Sequence, residues 1–133
     1  MSTNYKNRKM ENQEKSSCLC GVSEYMVLAC SGACDLGQIT DIVARKLRDN
    51  EVRKMNCLAV VGAGIEKSIE DFKKKNILML DGCPIDCGKQ ILDKAGFKDY
   101  KYLRVTDLGY KKGQTPVNEE VIKNVYDTAE IIY

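Results

Sequence analysis

The sequence predicts an α/β protein: a three-layer, Rossmann-like sandwich with a mainly parallel four-stranded sheet and helices on both faces. Three features predict it. Tyr25–Cys30 and Ile77–Leu80 are continuous apolar runs of strand length, the pattern of strands covered on both faces. Segments with apolar residues every three or four positions separate them, the periodicity of amphipathic helices. The strand-then-helix order repeats four times along the chain, which implies parallel strands joined by right-handed crossovers.

Composition narrows the chemistry. At 133 residues the chain has the length of one domain, enough for a single apolar core without disulfide staples. Its seven cysteines are therefore surplus to stability, and an odd number argues against a closed disulfide framework. The opening Met1-Ser-Thr-Asn-Tyr-Lys is polar, and the apolar runs fall far short of the ~20 residues that span a bilayer. A cytoplasmic location without membrane contact is expected. In a reducing compartment clustered cysteines signal metal or redox chemistry rather than bridges. With no histidine in the chain, a transition-metal site would be thiolate-rich, with Asp or Glu as the remaining donors. The net charge of +2 gives no reason to expect nucleic acid as a partner. Lys73-Lys74-Lys75 and Lys111-Lys112 read as solvated surface.

Residues 1–17 are polar, charged and aperiodic, and read as a disordered tail before a single domain over 18–133. Cys18-Leu-Cys20-Gly21 either folds onto a metal or presents two ordinary thiols; its spacing is shorter than that of paired zinc ligands. Tyr25–Cys30 is the first strand. Ser31-Gly32-Ala33-Cys34-Asp35 turns the chain into a helix from about Leu36 to Asn50, with Ile39, Val43 and Leu47 as its inner stripe and Asp41, Arg45, Lys46 and Arg48 outside. The second strand has two possible registers, Val52–Leu58 ending near Cys57, or Cys57–Val61 with the cysteine deeper in the sheet. Gly62-Ala63-Gly64 then turns into a helix from about Ile65 to Lys75, with Ile65, Ile69 and Phe72 inward. This G-x-G lacks the third glycine or the Lys-Ser/Thr of a phosphate loop.

Ile77–Leu80 is a buried strand, broken by Asp81-Gly82. Pro84 marks a helix start, which puts Cys83 at the cap and Cys87 one turn in, on one face and at the positive helix end, where Asp86 also fits. Ile91, Leu92 and Ala95 point inward and Gly96 ends that helix. Tyr100–Val105 reads as a fourth strand nearer an edge. Thr106-Asp107-Leu108-Gly109 turns at its end, where Asp107 either orients a thiolate or caps the loop. Thr115-Pro116 opens the last helix, packed by Val117, Val121, Val125, Ala129 and Ile132. Sites in such sheets form beyond the carboxyl ends of the strands. Cys30, Cys34, Cys83 and Cys87 all map there, and Cys57 joins them in the first register.

Cys30-Ser-Gly, Asp35-Leu-Gly37-Gln, Met55-Asn-Cys57-Leu-Ala, Asp81-Gly-Cys83-Pro-Ile-Asp-Cys87 and Thr106-Asp-Leu-Gly together resemble the DGC-domain proteins. These are small proteins named for an Asp-Gly-Cys motif and described as zinc-binding, and the likeness runs from about Cys18 to Lys112. The resemblance implies zinc as cofactor, held by four cysteines whose matching positions are Cys30, Cys57, Cys83 and Cys87. It favours the first register of the second strand, leaves Cys34 outside the set, and likens Cys18-x-Cys20-Gly to a lead-in of some members. It implies no reaction.

Three functions follow as expectations. The first is a four-thiolate zinc module, structural or regulatory because four protein ligands close the site, with an iron-sulfur module as its nearest rival. The second is a thiol redox protein using reactive helix-start cysteines. It has no thioredoxin-type C-x-x-C, and a phosphatase is excluded because the position six residues past Cys30, Cys57 or Cys83 is Leu36, Ala63 or Lys89, never arginine. The third is an interaction domain with incidental cysteines. No catalytic residue is assigned.

Overall fold

The computed structural model describes residues 24–133; the tail 1–17 and the Cys18–Cys20 pair lie outside the described residues. Strands β1 (Tyr25–Ala29), β2 (Lys54–Met55), β3 (Asn76–Asp81) and β4 (Tyr100–Arg104) form one sheet in the order β2-β1-β3-β4. Every pairing is parallel. Because side chains alternate along a strand, β1 and β3 feed two cores. Val27, Leu78 and Leu80 pack against α1 (Asp35–Asp49) and α5 (Glu119–Glu130) on one face. Met26, Leu28, Ile77 and Met79 pack on the other against Leu58 and Val61 of α2 (Leu58–Gly62), Phe72 of α3 (Glu66–Phe72) and Leu92 of α4 (Cys87–Lys94). The expected three layers are thus present, with the inner stripe Ile39, Val43 and Leu47 of α1 fully buried.

Several boundaries differ from the sequence expectation, each for a local reason. The second strand is two residues long, because Arg53 just before it turns inward. Its guanidinium donates to the carbonyls of Met26 at 3.1 Å, Asn76 at 2.9 Å and Ile132 at 2.9 Å, tying the amino edge of the sheet to the C-terminal residues. Leu58–Gly62 is helical, so the register that made Cys57–Val61 a strand is wrong. Leu58 and Val61, three apart, both reach the core only on a helix. Ile65 stands at the cap of α3 and is exposed rather than inward, while Phe72 is buried. The last helix begins at Glu119, not at Thr115-Pro116. Thr115 closes a loop instead, its hydroxyl donating to Lys111 O at 2.7 Å, and Asn118 Oδ1 caps α5 by accepting from Val121 N at 3.0 Å.

The strand order places the site. The chain runs from β1 to β2 on one side, then crosses to β3 on the other side of β1. The crevice beyond the carboxyl ends of β1 and β3 is therefore the topological switch point, where open α/β sheets bind ligands. No helix among the described residues is long and apolar enough to cross a membrane.

Candidate functional site

Cys30 follows β1 directly, Cys34 is the cap residue of α1, Cys83 lies in the turn after β3, and Cys87 is the first residue of α4. All four line one open depression of about 500 Å³ at the switch point, walled by Gly32, Gly37, Gly82 and Ile85, with Lys112 as its one charged lining residue. Cys30, Cys34 and Cys83 are half-buried and Cys87 is exposed. Among the described residues, no three Cys, Asp or Glu side chains are gathered closely enough to hold a metal ion. The fold thus brings four thiols around one hollow without drawing their sulfurs into a coordination shell.

Close backbone contacts build this hollow. A Cβ on Gly37 would stand 2.5 Å from the N and O of Gly32, and one on Gly82 would stand 2.9 Å from Leu36 C and Cβ. Only glycine lets the cysteine-bearing turn after β1, the start of α1 and the turn after β3 meet. Among the described residues, two of the three non-glycine residues with positive φ adjoin site cysteines: Ser31 (φ 49) after Cys30 and Asp86 (φ 57) before Cys87. Such backbone costs about 1 kcal/mol or more and persists only where surroundings impose it. At Ser31 the hydroxyl donates to Asp41 Oδ1 at 2.8 Å. At Asp86 the restraint is Arg104, which grips the carboxylate through Nε at 2.7 Å and Nη2 at 2.5 Å.

The Asp of the Asp-Gly-Cys sequence is a scaffold residue. Asp81 is 1% exposed; its Oδ1 accepts from Gly88 N at 2.9 Å and its Oδ2 from Lys89 N at 2.9 Å. The start of α4 is therefore capped from the end of β3. This is why the helix begins at Cys87, and why the expected start at Pro84 with Cys83 as cap does not form. Cys83 and Cys87 are delivered by a turn and a helix end, not by one helical face. Tyr102 lies 2.8 Å from Asp81 Oδ2 and 2.9 Å from Asp86 Oδ1, so its single proton serves both carboxylates. Burial, then these two neighbours, push the phenol far above its usual value and keep it a donor. The Arg104 bond, helped by Tyr102, holds Asp86 below the ordinary carboxylate range.

Cys30 has its own partner. Its sulfur is 3.3 Å from Thr40 Oγ1, while the Thr40 hydroxyl donates to Gly37 O at 2.8 Å. A hydroxyl beside the sulfur can accept from it or donate to it, so Thr40 can serve Cys30 in either role. On the other flank Asp35 accepts from Gly113 N and Thr115 N, both at 3.0 Å, and these bonds, Gly113 first, lower its pKa. They pin the loop that carries Lys112 over the cysteines. Asp107 accepts from Arg104 Nη1 at 3.3 Å and is bound there rather than to a thiol.

Cys57 sits apart. It is the cap residue of α2 and lines a separate depression of about 460 Å³ on the β2 side, which it shares with Cys30, Asp41, Arg45 and Arg48. Of the four positions implied by resemblance, Cys30, Cys83 and Cys87 share a hollow, whereas Cys57 meets only Cys30; Cys34 takes the fourth place around the hollow. Sequence reasoning missed the Tyr102–Asp86–Arg104 brace and Thr40. Alternation of Tyr100, Tyr102 and Arg104 along a strand was the only available sign of the former.

Comparison with known proteins identifies the family of the chain. The sequence model of the DGC domain matches residues 26–129. The anaerobic and virulence modulator AnvM of Pseudomonas aeruginosa is 31% identical over 88 residues, spanning 65% of this chain and 67% of that protein. No solved structure matches. With the match extending from β1 to the last helix, the chain belongs to the DGC domain family.

Proposed function

We propose that this protein is a thiolate metal-binding module, loaded with zinc, whose role in a reducing compartment is regulatory or structural rather than catalytic. The observation that carries this reading is the single hollow at the switch point, lined by four thiols from two separate strand ends. Thiolates alone suit zinc in a chain without histidine. Three ligands, Cys30, Cys83 and Cys87, are common to the resemblance and the hollow. The resemblance supplies Cys57 as the fourth; sharing the hollow favours Cys34.

Zinc held by four thiolates supplies a closed, redox-inert cross-link. The chain's own residues prepare it. Cys30 would bind metal as a thiolate, to which the Thr40 hydroxyl, 3.3 Å away, can donate by turning from Gly37 O. Lys112 brings positive charge to a rim where thiolates accumulate negative charge. The name of the relative AnvM, a modulator, supports a regulatory role over an enzymatic one.

The test is metal content by plasma mass spectrometry on untagged protein purified anaerobically, beside Cys34→Ser, Cys57→Ser, Cys83→Ser and Cys87→Ser. The expected result is near one zinc per chain, lost in the Cys83 and Cys87 variants and in one of the other two. Iron with matching sulfide would make the module a cluster protein. A metal-free wild type whose thiols alkylate at once would replace the reading with thiol redox chemistry, which the exposure of Cys57 and Cys87 favours as the second candidate.

A further inference from the structure

The depression on the β2 side of Cys30 has a chemistry of its own. It holds an exposed thiol, Cys57, beside two arginines one turn apart on α1, Arg45 and Arg48, with Asp41 as the one carboxylate in its lining. Each guanidinium is anchored through Nε alone, Arg45 to Asp41 Oδ2 at 2.8 Å and Arg48 to Asp49 Oδ1 at 3.0 Å. The anchoring fixes the side chains and leaves their terminal nitrogens for a ligand. Guanidinium nitrogens in that state pair with carboxylates, two bonds at a time where geometry allows. A volume of about 460 Å³ suits a small molecule.

We propose that this depression binds a small disulfide carrying carboxylates, and that Cys57 exchanges with it. Arg45 and Arg48 hold a carboxylate of the ligand while the Cys57 thiolate, its proton released to solvent, attacks one sulfur of the ligand's disulfide. The ligand's S–S bond breaks, a Cys57–S–S–R bond forms, and R–S⁻ leaves. Cys57 is oxidised and the departing half of the ligand reduced by the same electron pair, so no further oxidant enters. The inference rests on the reading in which Cys34, not Cys57, completes the metal set.

Protein as purified, with its zinc content recorded, is mixed with oxidised glutathione, which carries carboxylates, or with cystamine, which is cationic. Adducts are counted by intact mass and located by peptide mapping, and each rate is divided by that of the same disulfide with a small reference thiol. The expected result is first modification at Cys57, with oxidised glutathione favoured about five-fold at low salt, the size of effect one partly screened charge pair exerts. The preference should shrink towards one in Arg45→Gln and in Arg48→Gln. Equal normalised rates for the two disulfides, an unchanged preference in both variants, or first modification elsewhere would overturn the proposal. So would protection of Cys57 by zinc that a chelator relieves, which would make Cys57 a metal ligand. A charge preference in protein without zinc sustains this site while sinking the metal reading.

Discussion

At the scale of single residues, the site depends more on what surrounds the cysteines than on the cysteines themselves. Asp81→Asn is the sharpest case. An amide can still accept from Gly88 N, but it presents a donor where Lys89 N and the Tyr102 hydroxyl now donate. Losing those bonds in a buried place should cost about 2 kcal/mol in urea unfolding, and Tyr102→Phe about 1 kcal/mol. A loss no larger than that of Tyr102→Phe would mean that Asp81 is not the capping group. Gly37→Ala acts by space alone: the new methyl meets backbone at 2.5 Å, which no side-chain rotation relieves. It should cost about 1–3 kcal/mol and lower zinc content, because the turn carrying Cys30 and Cys34 must retreat. The sequence made the cysteines legible as a set, since Cys30 and Cys83 follow strands and Cys34 and Cys87 lie four residues on, at helix starts. Asp81's duty was not legible, because a carboxylate before glycine reads equally well as a turn residue, and its partners lie seven, eight and twenty-one positions away.

At the scale of elements, strands and long helices were readable because burial on both faces or on one stripe leaves a periodic trace. Helix starts were not. Proline at positions 84 and 116 suggested two starts that the structure moves to Cys87 and Glu119. In both cases long-range hydrogen bonds override the local signal: Asp81 captures one start, and Asp35 with Lys111 holds Thr115 in a loop before the other. The loop from Gly109 to Thr115 is thus a strap fastened by one carboxylate. Asp35→Ala removes the acceptor of both Gly113 N and Thr115 N. Amide exchange at those two residues should accelerate at least ten-fold, since two charge-assisted bonds are lost, with exchange in the buried stripe of α1 changing far less. Equal acceleration along α1 would show general destabilisation instead of a released strap. Zinc affinity should fall modestly in the same variant, because Lys112 then no longer stands fixed over the hollow.

At the scale of the whole molecule, the proposed metal would couple the switch point to stability. Cys30 and Cys34 precede and open α1, whose inner stripe anchors one core, while Cys83 and Cys87 lead into α4, which anchors the other. A metal shared by these turns would fasten both helical layers to the sheet edge, and a ligand bound only by the folded state stabilises it by mass action. With free zinc a hundred-fold above Kd the gain is about 2.7 kcal/mol, which for a domain of this size is roughly a 10 °C rise in Tm. The rise should vanish in Cys83→Ser and Cys87→Ser, and a chelator should return the wild type to the metal-free value. Its pH dependence has a defined sign. Each ligand must be a thiolate, so acid competes with metal for every sulfur, and the zinc-dependent part of Tm should shrink steadily as pH falls from 8 towards 5. The metal-free protein, scanned in parallel, supplies the baseline for that difference. A zinc increment that persists in Cys83→Ser, or is flat with pH, would place the ion on carboxylates elsewhere on the surface and remove the cysteine hollow from the account.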